Sequence, residues 1–402
     1  MFAPLSGVKV IDLTHVLAGP YCTQLLAQLG AKVTKVEPLD VGDLTRFGGP
    51  IEELNAAKLG LGFCTQNTDK ASIALDVKQP EGIEIIHRLV ADADVFVENF
   101  RPGVSERLGL GFDALATLQP GLVYVSLTAY GQDGPIGHRP AYDHVVQAMS
   151  GIMETTGTEE TGPVKVGAPY VDYAAGQKGA MATMAAIMEQ RRTGEAQRLD
   201  VAMLDTTLLL MASTLTATAN TGERPAKLGN EAASRAPSSG CFETADGLLS
   251  IAANNERQFR HLCDAIGHPA LADDEHFSTR AARNTNTDAF RAVLEAELAI
   301  RSAAEWEHIL DGLGVPASRV RSMDELIAEG QPAARGLLSD VEVAGRTVSL
   351  PTTGFKVNDE VPGPVAAPRP LGADTESILT TLGYDVATIT NLVEKSVVQT
   401  AP

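Results

Sequence analysis

In the run Lys165-Val166-Gly167-Ala168-Pro169-Tyr170-Val171-Asp172-Tyr173-Ala174-Ala175-Gly176 a single acidic residue, Asp172, stands among apolar and small neighbours. Such a carboxylate has two uses. At a helix start it accepts backbone N–H groups as an N-cap, a role for which Asp is strongly preferred. Held ionised by those N–H groups and the helix dipole, it can also attack an electrophilic carbonyl. The two uses are compatible, and local sequence does not choose between them. Gly167 and Pro169 interrupt regular structure just upstream. Residues 174–188, rich in Ala, Gly and Met, read as a buried helix.

Other residues could carry chemistry. His15 and His144 are acid/base candidates, but no acidic partner is visible beside either, and each also reads as an ordinary structural histidine. Arg101 and Arg107 follow the strand expected at 95–98. They could pair with phosphates at a strand's carboxyl end, or simply be solvated surface charge. Cys22, Cys64, Cys241 and Cys263 show no CxxC spacing, and the eight histidines form no HExxH pair. No metal and no disulfide framework are therefore expected. That cysteine usage, with no basic or apolar leader at Met1-Phe2-Ala3-Pro4, points to the cytoplasm.

The elements that must position these groups alternate. Residues 8–13 read as a strand, 21–29 as a helix closed by Gly30, and 33–37 as a second strand. This βαβ unit opens an α/β domain with a parallel sheet. Its first turn, Thr14-His15-Val16-Leu17-Ala18-Gly19-Pro20, has one glycine, so it is not the GxGxxG dinucleotide fingerprint. It still offers a helix N-terminus, a natural anion site. Strands follow at 73–76, 95–98, 122–127 and 197–202, with helices at 80–91, 142–153 and 204–217. Composition shifts near 218–240, read as a linker or mobile loop, and a hairpin is expected at 241–252. The chain has 402 residues, enough for two domains, and a net charge of −19. No basic face or polybasic patch exists for nucleic acid or an anionic membrane. No apolar run approaches the ~18 residues of a membrane span.

Several stretches in order resemble the class III CoA-transferases, the formyl-CoA and carnitine CoA-transferase type, within a superfamily that includes 2-methylacyl-CoA racemases. They are Leu5-Ser6-Gly7-Val8-Lys9-Val10-Ile11-Asp12-Leu13-Thr14, Ala18-Gly19-Pro20, Leu29-Gly30-Ala31-Lys32-Val33, Val41-Gly42-Asp43, Val97-Glu98-Asn99-Phe100-Arg101-Pro102-Gly103, Tyr142-Asp143, Asp172, Gly229-Asn230, Gly314-Val315-Pro316 and Pro370-Leu371-Gly372. The resemblance spans essentially the whole chain. It implies an α/β fold with a Rossmann-like large domain (1–218 and 332–402), a smaller α+β domain (219–331) and an interlocked homodimer. It implies CoA transfer from an acyl-CoA to a short-chain carboxylic or dicarboxylic acid, with coenzyme A as cosubstrate and no permanently bound cofactor. Asp172 falls on the family's nucleophile, which forms an acyl–aspartyl anhydride and later a thioester. CoA contacts would fall on Leu17, Ala18, Leu75, Lys78, Asn99, Phe100, Arg101, Arg107, Ala141 and Tyr142.

The departures matter. Formyl-CoA transferases carry Gln where Leu17 stands and a basic residue where Pro38 stands, and a glycine run is missing from 230–240. The resemblance therefore does not carry formyl and oxalate as substrates. The racemases place a His where this chain has Tyr142. A phenol with pKa near 10 is a poor base for α-proton exchange at neutral pH.

Overall fold

The computed structural model describes residues 2–401. Six strands form a parallel sheet: β1 (Lys9–Asp12), β2 (Lys32–Glu37), β3 (Lys70–Leu75), β4 (Val95–Glu98), β5 (Val123–Thr128) and β6 (Gln197–Ala202). Their order is β3-β2-β1-β4-β5-β6, and a two-residue strand, Val398–Gln399, adds antiparallel to β3. The order is that of a doubly wound fold, whose crossovers leave β1 in opposite directions. The expected parallel sheet is present, with one antiparallel edge that the short C-terminal run did not announce.

Strands buried on both faces explain the apolar sequences. Val10, Val95, Val97, Val123 and Val125 pack on one face, with Cys22, Leu26, Ala180 and Ile187 from covering helices. Ile11, Phe96 and Tyr124, one residue out of step, pack on the other with Ile85, Ile86, Leu379 and Ile389. The period of two sends alternate side chains to opposite layers.

The chain forms two compact units. The larger comprises residues up to 152, 166–223 and those from 332 onward. The smaller comprises Met153–Lys165 and Arg224–Gln331. Its antiparallel strands Ser239–Glu243, Leu248–Ala252 and Ala317–Arg319 pack with helices around Phe259, Phe290 and Trp306. The helix expected at 204–217 is two helices, Met203–Leu210 and Ala212–Thr221, broken at Met211. No helix among the described residues is long and apolar enough to cross a membrane.

Candidate active site

β1 and β4 are neighbours at the point where the strand order reverses, and ligands of open α/β sheets bind at the strands' carboxyl ends there. The turn after β1, residues 14–17, and the loop after β4, residues 99–101, both end in one cavity of about 290 Å³. Both are held by buried groups. The Asn99 side chain clamps His15, accepting from its N–H (3.0 Å) and donating to its carbonyl (2.8 Å). Lys35 Nζ donates to the Thr14 carbonyl (2.7 Å). Asp43 accepts the Val16 N–H on both oxygens (3.1 and 3.3 Å) and sits 3.2 Å from Lys35 Nζ. Glu98 accepts the N–H of Phe100 (2.7 Å) and the hydroxyl of Ser126 (2.5 Å). Burial pushes the Asp43 carboxyl up, but Lys35 and the Thr45 N–H more than offset it, so the pair stays ionised.

The first helix, Ala18–Gln28, begins at this turn. Its N-cap is Leu17, with no side-chain cap, so nothing in the protein accepts the N–H groups of Ala18 and Gly19 among the described residues. Orphan N–H groups of this kind suit a developing oxyanion.

Asp172 sits in the first turn of the long helix Tyr170–Thr193. It is not the N-cap: the helix starts two residues before it, after Pro169. The capping is done by Asp143, whose Oδ2 accepts the N–H groups of Val171 (2.8 Å) and Asp172 (3.2 Å). Asp143 is itself buried and takes a bond from Gln147 (2.6 Å). Because Asp143 collects those donors, the Asp172 carboxylate is not stabilised by them. Burial, and then the like charge of Asp143, push its carboxyl up to about 7. Sequence alone missed Asp143, which was visible only as the residue after Tyr142. The next residue, Tyr173, is fixed edge-on against Tyr21 and accepts from Gln66 Nε2 (3.2 Å).

The long helix lies against the first helix with almost no gap. A Cβ at Gly176 would stand 2.7 Å from the Ala18 carbonyl oxygen, and one at Gly179 would stand 3.1 Å from Cys22 Sγ. These two glycines bring Asp172, one turn upstream, to the open end of the first helix.

Leu17, Ala18, Asn99, Phe100, Arg101, Ala141 and Tyr142 all line the same cavity as Asp172. His15 and Phe100 also line a second cavity of about 240 Å³ with Leu75 and Lys78. Val77 and Lys78 line a third, of about 390 Å³, with Arg107. The three cavities therefore adjoin, and a groove runs from Asp172 towards Arg107. Lys78, Arg101 and Arg107 stand exposed along it and form no ion pair among the described residues. Asn99 has both amide atoms engaged on His15, so it acts on the groove mainly through that turn. Arg139, which the sequence reading passed over, lines the Asp172 cavity as well. His144 is exposed and lines none of these cavities. His15 does, and it has the acidic neighbour the sequence could not show, Asp43 at 4.0 Å. Burial and Lys35 hold its pKa below the ordinary value, so it is neutral near pH 7. No group of His, Cys, Asp and Glu among the described residues could hold a metal.

A doubly wound α/β chain binds its ligand in the switch-point crevice, and the half-buried Asp172 carboxylate lines the cavity there. Residues 5–375 match CoA-transferase family III, and the chain belongs to that family. It is 38% identical over 348 residues to a succinate–glutarate CoA-transferase of Agrobacterium fabrum, covering 86% of this chain and 87% of that protein. It is 38% identical over 364 residues to an acetyl-CoA:oxalate CoA-transferase of Acetobacter aceti, covering 90% and 92%. A CaiB/BaiF family protein from Brucella suis superposes with a TM-score of 0.83 at 33% identity, covering 95% of this chain and all of that one. The protein is a CoA-transferase that moves CoA between an acyl-CoA and a carboxylic acid.

Proposed function

We propose that Asp172 is the nucleophile of this transfer and that the groove from Asp172 to Arg107 holds CoA. The observation that carries the reading is the state of the Asp172 carboxyl, half-buried beside unused helix N–H groups and pushed up to about 7. A desolvated, more basic carboxylate is a better nucleophile than one in water. Its oxygen attacks the thioester carbonyl, the C–S bond breaks, and CoA leaves as thiolate from an acyl–aspartyl anhydride. Thiolate then attacks the aspartyl carbonyl, releasing the donor acid and leaving an aspartyl-CoA thioester. The acceptor carboxylate reverses the sequence. No proton changes hands, so no general base is needed. That suits a cavity whose one histidine is neutral and engaged through its backbone. The Ala18 and Gly19 N–H groups would meet each oxyanion. Lys78, Arg101 and Arg107 would meet the phosphates, with Phe100 and Leu75 beside the apolar parts of CoA.

The relatives' named substrates, succinate, glutarate and oxalate, put short dicarboxylates first among the acids to try. A 2-methylacyl-CoA racemase reading fits less well, because the position where the racemases place a His is held by Tyr142, 66% exposed. We also propose an interlocked homodimer. Met181, Met188, Leu209 and Leu210 are exposed on the long helix and the one that follows β6, apolar surface that a second copy would cover. Four free cysteines suit a reducing compartment such as the cytoplasm.

The test is a panel of acyl-CoA donors against free acids, read by mass. Transfer to at least one dicarboxylate is expected. Deuterium uptake at the α-carbon of a 2-methylacyl-CoA with no CoA exchange would sink the proposal in favour of the racemase.

A pH profile follows from the same geometry. The nucleophile must be ionised, so kcat/KM should rise about tenfold per pH unit below about 7 and level off above it. Asp143→Asn removes the like charge and should shift that acid limb to lower pH. A limb that stays put in the variant would show that Asp143 acts only as a cap.

A further inference from the structure

We propose that Asp43, paired with Lys35, is a positioning residue for the transfer: it holds Val16 in a left-handed backbone conformation that aims the start of the first helix into the reaction cavity. The inference rests on reading that cavity as the acyl-transfer site.

Nine non-glycine residues among those described have positive φ, and Val16, at +73°, is the one β-branched member. A side chain branched at Cβ is the poorest fit to that region, so something outside the residue must impose the conformation. The hydrogen bonds identify it. The Val16 N–H points at both oxygens of Asp43, which is fully buried. Lys35, 1% exposed, fixes Asp43 from one side and the Thr14 carbonyl from the other. Asn99 takes both backbone groups of His15. The turn is thus pinned at Thr14, His15 and Val16 in succession, and the next residue is the uncapped N-cap Leu17. Val16 belongs to none of the large unit's apolar clusters, so packing does not explain its conformation. It lines the cavity.

A valine confined to a conformation it disfavours has few alternatives once Asp43 is in place. A glycine there would have many. The arrangement therefore trades stability for a turn with one geometry, which an oxyanion site needs before substrate arrives. Asp43 has a plainer use too. It caps the short turn Leu44–Phe47, accepting the Thr45 N–H at 3.0 Å. A cap alone would not depend on what residue 16 is.

The experiment uses that difference. The enzyme is assayed with the most active acyl-CoA and acid of the panel above, comparing Asp43→Asn in the native and Val16→Gly backgrounds. In the native background kcat should fall about 30- to 100-fold while KM for the acyl-CoA changes less than about threefold. In the Val16→Gly background the same replacement should cost less than about fivefold, because glycine adopts positive φ without being forced. Equal losses in both backgrounds, or a loss confined to KM, would overturn the inference. A second readout needs neither turnover nor a folded Asp43 variant. Val16→Gly alone should unfold at no lower temperature than the native protein, since relieved strain offsets the added chain entropy. A clear drop in its melting temperature would also overturn the inference. Failure of the transfer reading would show instead as a native enzyme inactive across the whole donor and acceptor panel.

Discussion

Asp172→Asn is expected to lower CoA transfer by at least about 10³-fold while leaving acyl-CoA binding nearly intact, because the amide fills the same space without the nucleophilic oxygen. The same replacement is expected to stabilise the fold above neutrality. The Asp172 carboxyl is raised from 3.8 to about 7 in the folded chain, so the native state binds its proton more tightly than the unfolded state does. Between those two values the unfolded chain has lost the proton and the folded chain keeps it. Native stability therefore falls as pH rises from about 4 to about 7 and is flat beyond. Asparagine has no such loss. The gain should be absent near pH 4 and reach roughly 1–2 kcal/mol at pH 8, less than the full shift implies because the group is partly solvated. Thermal unfolding at the two pH values measures it. Trapping with hydroxylamine after incubation with acyl-CoA should mark Asp172 in peptide mass spectra of the native enzyme. A variant that keeps turning over, or a native Asp172 peptide that stays unmodified, would remove this residue from the mechanism. Loss of activity without the gain at pH 8 would show that the carboxyl is less perturbed than its surroundings indicate.

Gly176→Ala should also be damaging, although Gly176 lines none of the three cavities. The added methyl would stand 2.7 Å from the Ala18 carbonyl oxygen and 2.9 Å from the Tyr21 ring, closer than real contacts allow. The carbonyl belongs to the backbone of the first helix and cannot rotate away. The two helices must part by a fraction of an ångström or more. Asp172, one turn along, then moves relative to the N–H groups of Ala18 and Gly19. Misplacement on this scale costs on the order of 10²-fold in rate. Overpacking here should also cost about 1–3 kcal/mol of stability. The measurement is kcat together with thermal unfolding, using Gly312→Ala as a control at a helix end where the backbone is not left-handed and nothing lies within 4 Å of the added atom. A Gly176→Ala enzyme with native kcat would mean that the helix contact does not set the position of Asp172.

Much of the groove follows from short local patterns. The strand ends, the single-glycine turn at 14–20 and the Asn99-Phe100-Arg101 run each carry their own signals of apolar runs and breakers. Those signals are local, so they survive in a lone sequence. Helix boundaries were less legible. Tyr170 begins the long helix two residues before Asp172 because the cap comes from Asp143, 29 positions away from Asp172. No window around Asp172 contains that partner.

The sequence by itself determined an alternating α/β chain, the absence of a dinucleotide fingerprint and one acidic residue isolated ahead of a small-residue helix. Each depends on residue type and spacing along a few turns of chain. Tertiary structure alone decided what that carboxylate is. Gly176 and Gly179 let two helices touch, Asp143 took the N–H groups and added its charge, and Asp43 and Lys35 fixed the turn opposite. Basicity and aim arise from charges and donors that meet only in space, and the field at a group depends on distance rather than on order in the chain.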